Sequence, residues 1–141
     1  MIMSKIKLFF IINALLILSC KDIHQVIPNI PVNIILDTTT DLAQLGIGST
    51  MICPKSGGNM GIIIFRNGID EYYAFDRLCT YYPNDTSAIV AKDGGVIATC
   101  LHCGSTFIFT ADGTLVNKGP AKLPLKQYQT TLQGTRLFIS N

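Results

Sequence analysis

The sequence predicts an all-β fold, a small antiparallel sandwich or barrel, on three observations. Short runs rich in apolar and β-branched residues recur at close intervals from Val32 onward. Turn signals containing glycine, among them Asn67-Gly68, Asp112-Gly113 and Gln133-Gly134, separate those runs. No stretch beyond residue 31 sustains the period of an amphipathic helix.

The chain opens on a segment that is not expected to join the fold. Lys5 and Lys7 precede an apolar run from Leu8 to Leu18, interrupted only by Asn13. That run is too short to span a bilayer and has the layout of an export signal. It ends Ile17-Leu18-Ser19-Cys20, which resembles the lipobox of bacterial lipoproteins. The resemblance implies cleavage after residue 19 and lipid on Cys20; an uncleaved anchor with an incidental cysteine is the alternative. Without residues 1–19 the chain keeps 122 of its 141 residues, enough for one domain with a real core. Two of the eleven Lys and Arg leave with the signal, so nine remain against nine Asp and Glu. With no basic excess, no nucleic-acid partner is expected. The expected contact is a membrane, through the lipid on Cys20, and the expected location is the bacterial cell envelope, facing away from the cytoplasm.

Residues 20–31 read as the lipidated cysteine and a tether, punctuated by Pro28 and Pro31, in which His24 is a solvated residue. The β domain is expected over 32–141. Val32 to Leu36 is its first strand, and D-T-T-T-D-L-A-Q-L after it is a turn or short helical bridge that Asp37 or Thr40 can cap. Ser49 to Cys53 is a strand stopped by Pro54. Gly61 to Arg66 is a continuous apolar strand, and Asn67-Gly68 predicts a two-residue hairpin returning as Glu71 to Asp76. Ser87 to Ala91 and Val96 to Thr99 flank a K-D-G-G turn, and Phe107 to Thr110 and Thr114 to Val116 flank Asp112-Gly113. Gln127 to Leu132 and Arg136 to Ser140 form a closing hairpin.

Chemistry concentrates between Cys79 and Phe107. The spacing is Cys79-x-Tyr81, eighteen residues, then Cys100-x-x-Cys103. Two loops that return sulfur to one point build a metal site, a redox site or a structural bridge. Disulfides persist in an exported chain. Four cysteines besides Cys20 allow three pairings, and spacing does not choose among them. Cys53 reads as a buried strand thiol.

This pattern resembles the Rieske iron–sulfur domain, in which C-x-H and C-x-x-H hold a [2Fe–2S] centre through two cysteines on one iron and two histidines on the other. Gly104, Ser105 and Phe107 fall where the Rieske C-P-C-H-G-S-x-F run would place them. G-I-I-I-F-R…E-Y-Y-A-F-D-R-L-C is similar to the strand pair that leads into the first Rieske loop. G-T-L-V-N-K-G-P-A-K-L-P-L-K-Q-Y is similar to the segment that packs beside the cluster loops. The likeness spans roughly Val32 to Asn141. It implies Cys79 and Cys100 on the first iron, with Tyr81 and Cys103 standing where the family has histidines. A phenolate needs a proton removed from a group of ordinary pKa near 10. Phenolate and thiolate add negative charge where imidazole adds none, so such a cluster would have a low potential. His102 precedes Cys103; adjacent loop side chains point apart, so it reads as a surface residue. Zinc on the three cysteines is a further option without a clear fourth ligand.

The altered ligands favour a cluster-free envelope lipoprotein with a structural or binding role and no cofactor. The resemblance implies that its loops are then stapled by a disulfide from Cys79 to Cys100 or Cys103. The alternative is an electron-transfer protein with an unusual [2Fe–2S] cluster on Cys79, Tyr81, Cys100 and Cys103, serving a redox or envelope protein partner. No nucleophile elbow, phosphate loop or H-E-x-x-H helix occurs, and with only His24 and His102 no His-based triad is expected. No catalytic residue is assigned.

Overall fold

A computed structural model describes residues 27–84, 89–91 and 95–141 of the chain. The expected export signal, Cys20, His24 and most of the K-D-G-G segment lie outside the described residues. Within them every regular element is a strand: β1 Asn33–Asp37, β2 Ser49–Ile52, β3 Ile62–Arg66, β4 Tyr72–Asp76, β5 Ile89–Ala91, β6 Ile97–Cys100, β7 Thr106–Thr110, β8 Gly113–Lys118, β9 Gln127–Gln133 and β10 Arg136–Ser140. The all-β expectation holds.

The strands form a six-stranded sheet in the order β1-β10-β9-β4-β3-β2 and a four-stranded sheet in the order β5-β6-β7-β8, with antiparallel neighbours throughout. The larger sheet is curled, because side chains from opposite ends meet in one core. Ile34 and Leu36 of β1 pack with Ile62 and Ile64 of β3 and with Leu137 and Ile139 of β10. The smaller sheet covers the outer face of β3 and β4. There Ile63, Phe65 and Phe75 pack with Ala98, Phe107 and Phe109.

β3 therefore explains its own composition. Successive strand side chains point to opposite faces, and here both faces are covered. Ile62 and Ile64 enter one core while Ile63 and Phe65 enter the other, which turns an alternating pattern into a continuous apolar run. Each such burial contributes on the order of 1.5–3 kcal/mol.

One turn differs from its expected form. The Asn67-Gly68 hairpin is not a two-residue turn: Arg66 pairs with Tyr72, and residues 67–71 form the loop. A tight type I′ turn needs positive φ at both central residues, and neither Asn67 nor Gly68 has it. The loop is closed instead by the Asn67 N–H on the Glu71 carbonyl at 2.9 Å and by Asn67 Nδ2 on Glu71 Oε2 at 2.6 Å. The bridge after β1 is a run of turns, and Asp37 caps it, its Oδ1 accepting the N–H groups of Thr39 at 2.8 Å and Thr40 at 3.2 Å.

Residues 27–31, the described part of the expected tether, are held against the domain before β1. Ile27 is buried, and the Pro28 carbonyl accepts hydrogen bonds from Asn59 Nδ2 (3.0 Å) and Lys126 Nζ (3.2 Å). Asn29 Oδ1 accepts from Lys126 Nζ (2.8 Å) and Asn141 Nδ2 (2.7 Å).

Candidate metal centre

The two cysteine loops are shaped by backbone geometry. β4 ends in Asp76, whose fully buried carboxylate organises the first loop. Its Oδ1 accepts the Leu78 N–H at 2.8 Å; its Oδ2 accepts the N–H (2.9 Å) and Nδ2 (2.8 Å) of Asn59 and the Tyr128 hydroxyl (2.5 Å). Burial works against the ionised form of Asp76, but these donors outweigh it and hold the carboxyl below its ordinary range. The chain then turns tightly, Tyr82 N–H bonding back to the Cys79 carbonyl at 3.1 Å.

In the second loop β6 delivers Cys100, and the next three residues turn at once. Gly104 N–H returns to the Cys100 carbonyl, and Cys100 N–H bonds the Ser105 carbonyl, both at 2.8 Å. Gly104 has φ +71°, a left-handed conformation that glycine adopts freely. This turn folds Cys103 back toward Cys100 and both toward Cys79.

The sulfurs of Cys79, Cys100 and Cys103 all lie within 4.8 Å of one another, with Cys79 Sγ 3.6 Å from Cys103 Sγ. All three are free thiols, so the expected bridge from Cys79 is not formed in this structure. Cys79 and Cys100 are fully buried and Cys103 is half-buried. Cys53 is a free thiol in the other core, among Ile34 and Ile62, apart from the three.

The environment separates the thiols electrostatically. Burial pushes the Cys79 thiol up to about 12, against a hydrogen bond from the Tyr81 N–H, and the neighbouring sulfurs push the same way. For Cys103 burial also disfavours charge, but hydrogen bonds from Ser105 and from the other two thiols carry the balance below the ordinary value. Ser105 Oγ lies 3.1 Å from Cys103 Sγ and accepts the Ala121 N–H at 3.0 Å. The neutral Cys103 thiol donates to that hydroxyl beside the Ala121 N–H, and an ionised Cys103 would accept the hydroxyl proton instead. Gly119 packs directly on Ser105, a Cβ there falling 2.5 Å from Ser105 Cα. The Thr80 hydroxyl donates to the Leu123 carbonyl at 2.8 Å. The segment from Gly119 thus lies against both cysteine loops.

Two of the sequence's candidates sit differently from the three thiols. Tyr81 contributes its backbone N–H to the Cys79 sulfur, while its ring, 40 % exposed, stands edge-on to Tyr82 with centroids 4.5 Å apart. His102 packs on the same Tyr82 ring, edge-on with centroids 4.8 Å apart. Ser105 is the functional neighbour that ligand reasoning passed over; the sequence signal was its place directly after Cys103-Gly104.

The donor set does not suit a [2Fe–2S] centre. Such a cluster is a rhomb with two ligands at each end. Here three sulfurs surround one point, and the fourth candidate, the Tyr81 phenol, belongs to a ring packed on Tyr82. Neither a scan against protein-family models nor a search of curated proteins gives a match for this chain.

Proposed function

We propose that the protein is a lipid-anchored protein of the bacterial envelope whose Rieske-like β domain has lost the histidine-ligated cluster and serves a structural or partner-binding role. Its two cysteine loops are clamped in the oxidising envelope by a Cys79–Cys103 disulfide. The observation that carries this reading is the 3.6 Å approach of those two sulfurs across 24 residues of chain. A disulfide needs about 2.05 Å between sulfurs, so a small loop adjustment forms the bond. The pair lies on two loops, with one sulfur half-open to solvent and to an oxidant. The lipid anchor is supported by the Ile17-Leu18-Ser19-Cys20 pattern after the apolar run.

The test is peptide mapping without reduction on the mature domain purified in air. Cys79 is expected joined to Cys103, the protein colourless and its iron content negligible. Reduction is expected to lower the melting temperature by roughly 10 °C or more, since a bridge closing a loop of this length is worth about 3 kcal/mol. A coloured protein with about two irons per chain, bleached by Cys79→Ser, would overturn this reading in favour of electron transfer.

A further inference from the structure

We infer that Cys79, Cys100 and Cys103, when reduced, form a site for a single tetrahedral divalent ion of the zinc class. Three thiolates hold the ion, and its fourth position faces solvent. This rests on the proposed reading only in using the same thiols: the ion and the disulfide are alternative clamps for the two loops.

The spacing is the first argument. Zinc–sulfur bonds of about 2.3 Å at tetrahedral angles put neighbouring sulfurs about 3.8 Å apart. Cys79 and Cys103 are at 3.6 Å, and no pair in the set exceeds 4.8 Å. An ion therefore fits among the sulfurs after shifts smaller than a bond length, whereas a two-iron rhomb would have to force them apart.

The surroundings are the second argument. Thiolates on a metal are oriented and partly neutralised by outer hydrogen-bond donors. Cys79 Sγ has the Tyr81 N–H, and Cys103 Sγ has the N–H and hydroxyl of Ser105, the latter held in place by Ala121. Among the described residues no carboxylate or imidazole joins the group, and an all-sulfur set selects soft and borderline ions over magnesium or calcium. Each thiol loses its proton to solvent on binding, giving three thiolates against two positive charges. Two sulfurs are sealed in the core and Cys103 alone is half-open, so the uncovered side of the sulfur triangle is the one that water reaches. Three protein ligands with one open position is the pattern that leaves an ion accessible to an exogenous ligand.

The test is anaerobic titration of the reduced, metal-free mature chain with Co²⁺. One equivalent is expected to bind, with the intense visible bands of tetrahedral cobalt thiolate, and one equivalent of Zn²⁺ is expected to bleach them. Bound Zn²⁺ should also block alkylation of Cys103. Cys53→Ser should titrate as the parent does, while Cys103→Ser, at the half-buried position least apt to disturb folding, should lose the bands. Because wild-type stoichiometry and spectrum stand alone, a variant that fails to fold leaves the test intact. Two equivalents per chain, binding without thiolate bands, or equal loss in Cys53→Ser would overturn the inference. Since the titration uses reduced protein, a chain never bridged in the envelope would still bind one ion. A chain bridged in the envelope that binds none once reduced would sink this inference alone.

Discussion

Cys103 and Cys79 are chemically the same group made unlike by their neighbours. Cys103 is half-open to water and receives the Ser105 donors, while Cys79 is sealed and pushed up to about 12. Alkylation of reduced protein at neutral pH is expected to mark Cys103 first, since the thiolate is the reactive species. Cys53, Cys79 and Cys100 are expected to react only on unfolding; equal early labelling of Cys79, read by peptide mass spectrometry, would contradict the closed geometry. Asp76 makes a second residue-scale prediction. Asp76→Asn removes the charge and turns an amide donor toward the Leu78 or Asn59 donors, at a cost of about 2–3 kcal/mol. Because the folded carboxyl is held below its unfolded value, its contribution is complete above about pH 4. It fades as pH falls further. Chemical denaturation at pH 7 and pH 3 should therefore separate wild type from variant widely at the first and less at the second. The cysteine spacing made the three-sulfur cluster legible. It also located Tyr81 in the first loop, but a spacing pattern does not say whether a residue's side chain or its backbone N–H faces the sulfur; here the N–H does.

At the scale of elements, the strands were legible almost to the residue, because glycine and proline mark their ends and β-branched residues fill them. Two features were not. Type of turn depends on φ, which Asn67-Gly68 permits but does not compel. The division into two sheets depends on pairings between distant segments, such as Ala74 with Tyr128, that no local pattern encodes. The apolar continuity of β3 was visible, but its cause, burial on two faces, appears only once both sheets are present. The segment after β8 illustrates the reverse, a resemblance that located a contact correctly. Gly119, at φ +101° and pressed on Ser105, is the position where it can be tested. Gly119→Ala must accept a left-handed conformation and push back Ser105, at a cost of about 2–4 kcal/mol. A melting temperature equal to that of the parent would show that the segment does not press on the second loop. Gly134→Ala, also left-handed but with nothing near its added carbon, should cost less.

At the scale of the molecule, two cores share β3 and β4, so the Cys79 loop leaves the most deeply buried part of the chain, and the Cys100–Cys103 loop meets it from β6 of the covering sheet. The envelope assignment rests on Cys20, outside the described residues, and its prediction is direct. Wild-type protein expressed in a bacterium with lipoprotein processing should enter the detergent phase, and Cys20→Ala should remain in the aqueous phase. Identical partitioning, with residue 1 retained in both, would refute lipidation. The fixing of the chain at Ile27 and Pro28 by Asn59 and Lys126 then acquires a mechanical meaning. From a lipid on Cys20 to Ile27 there are only seven Cα steps, a leash of about 25 Å at full stretch. With the proposed lipid in place, a β domain on so short a leash would glide over the bilayer like a puck, any search for a partner confined to two dimensions. Whatever it met would itself have to come down to the surface of the membrane.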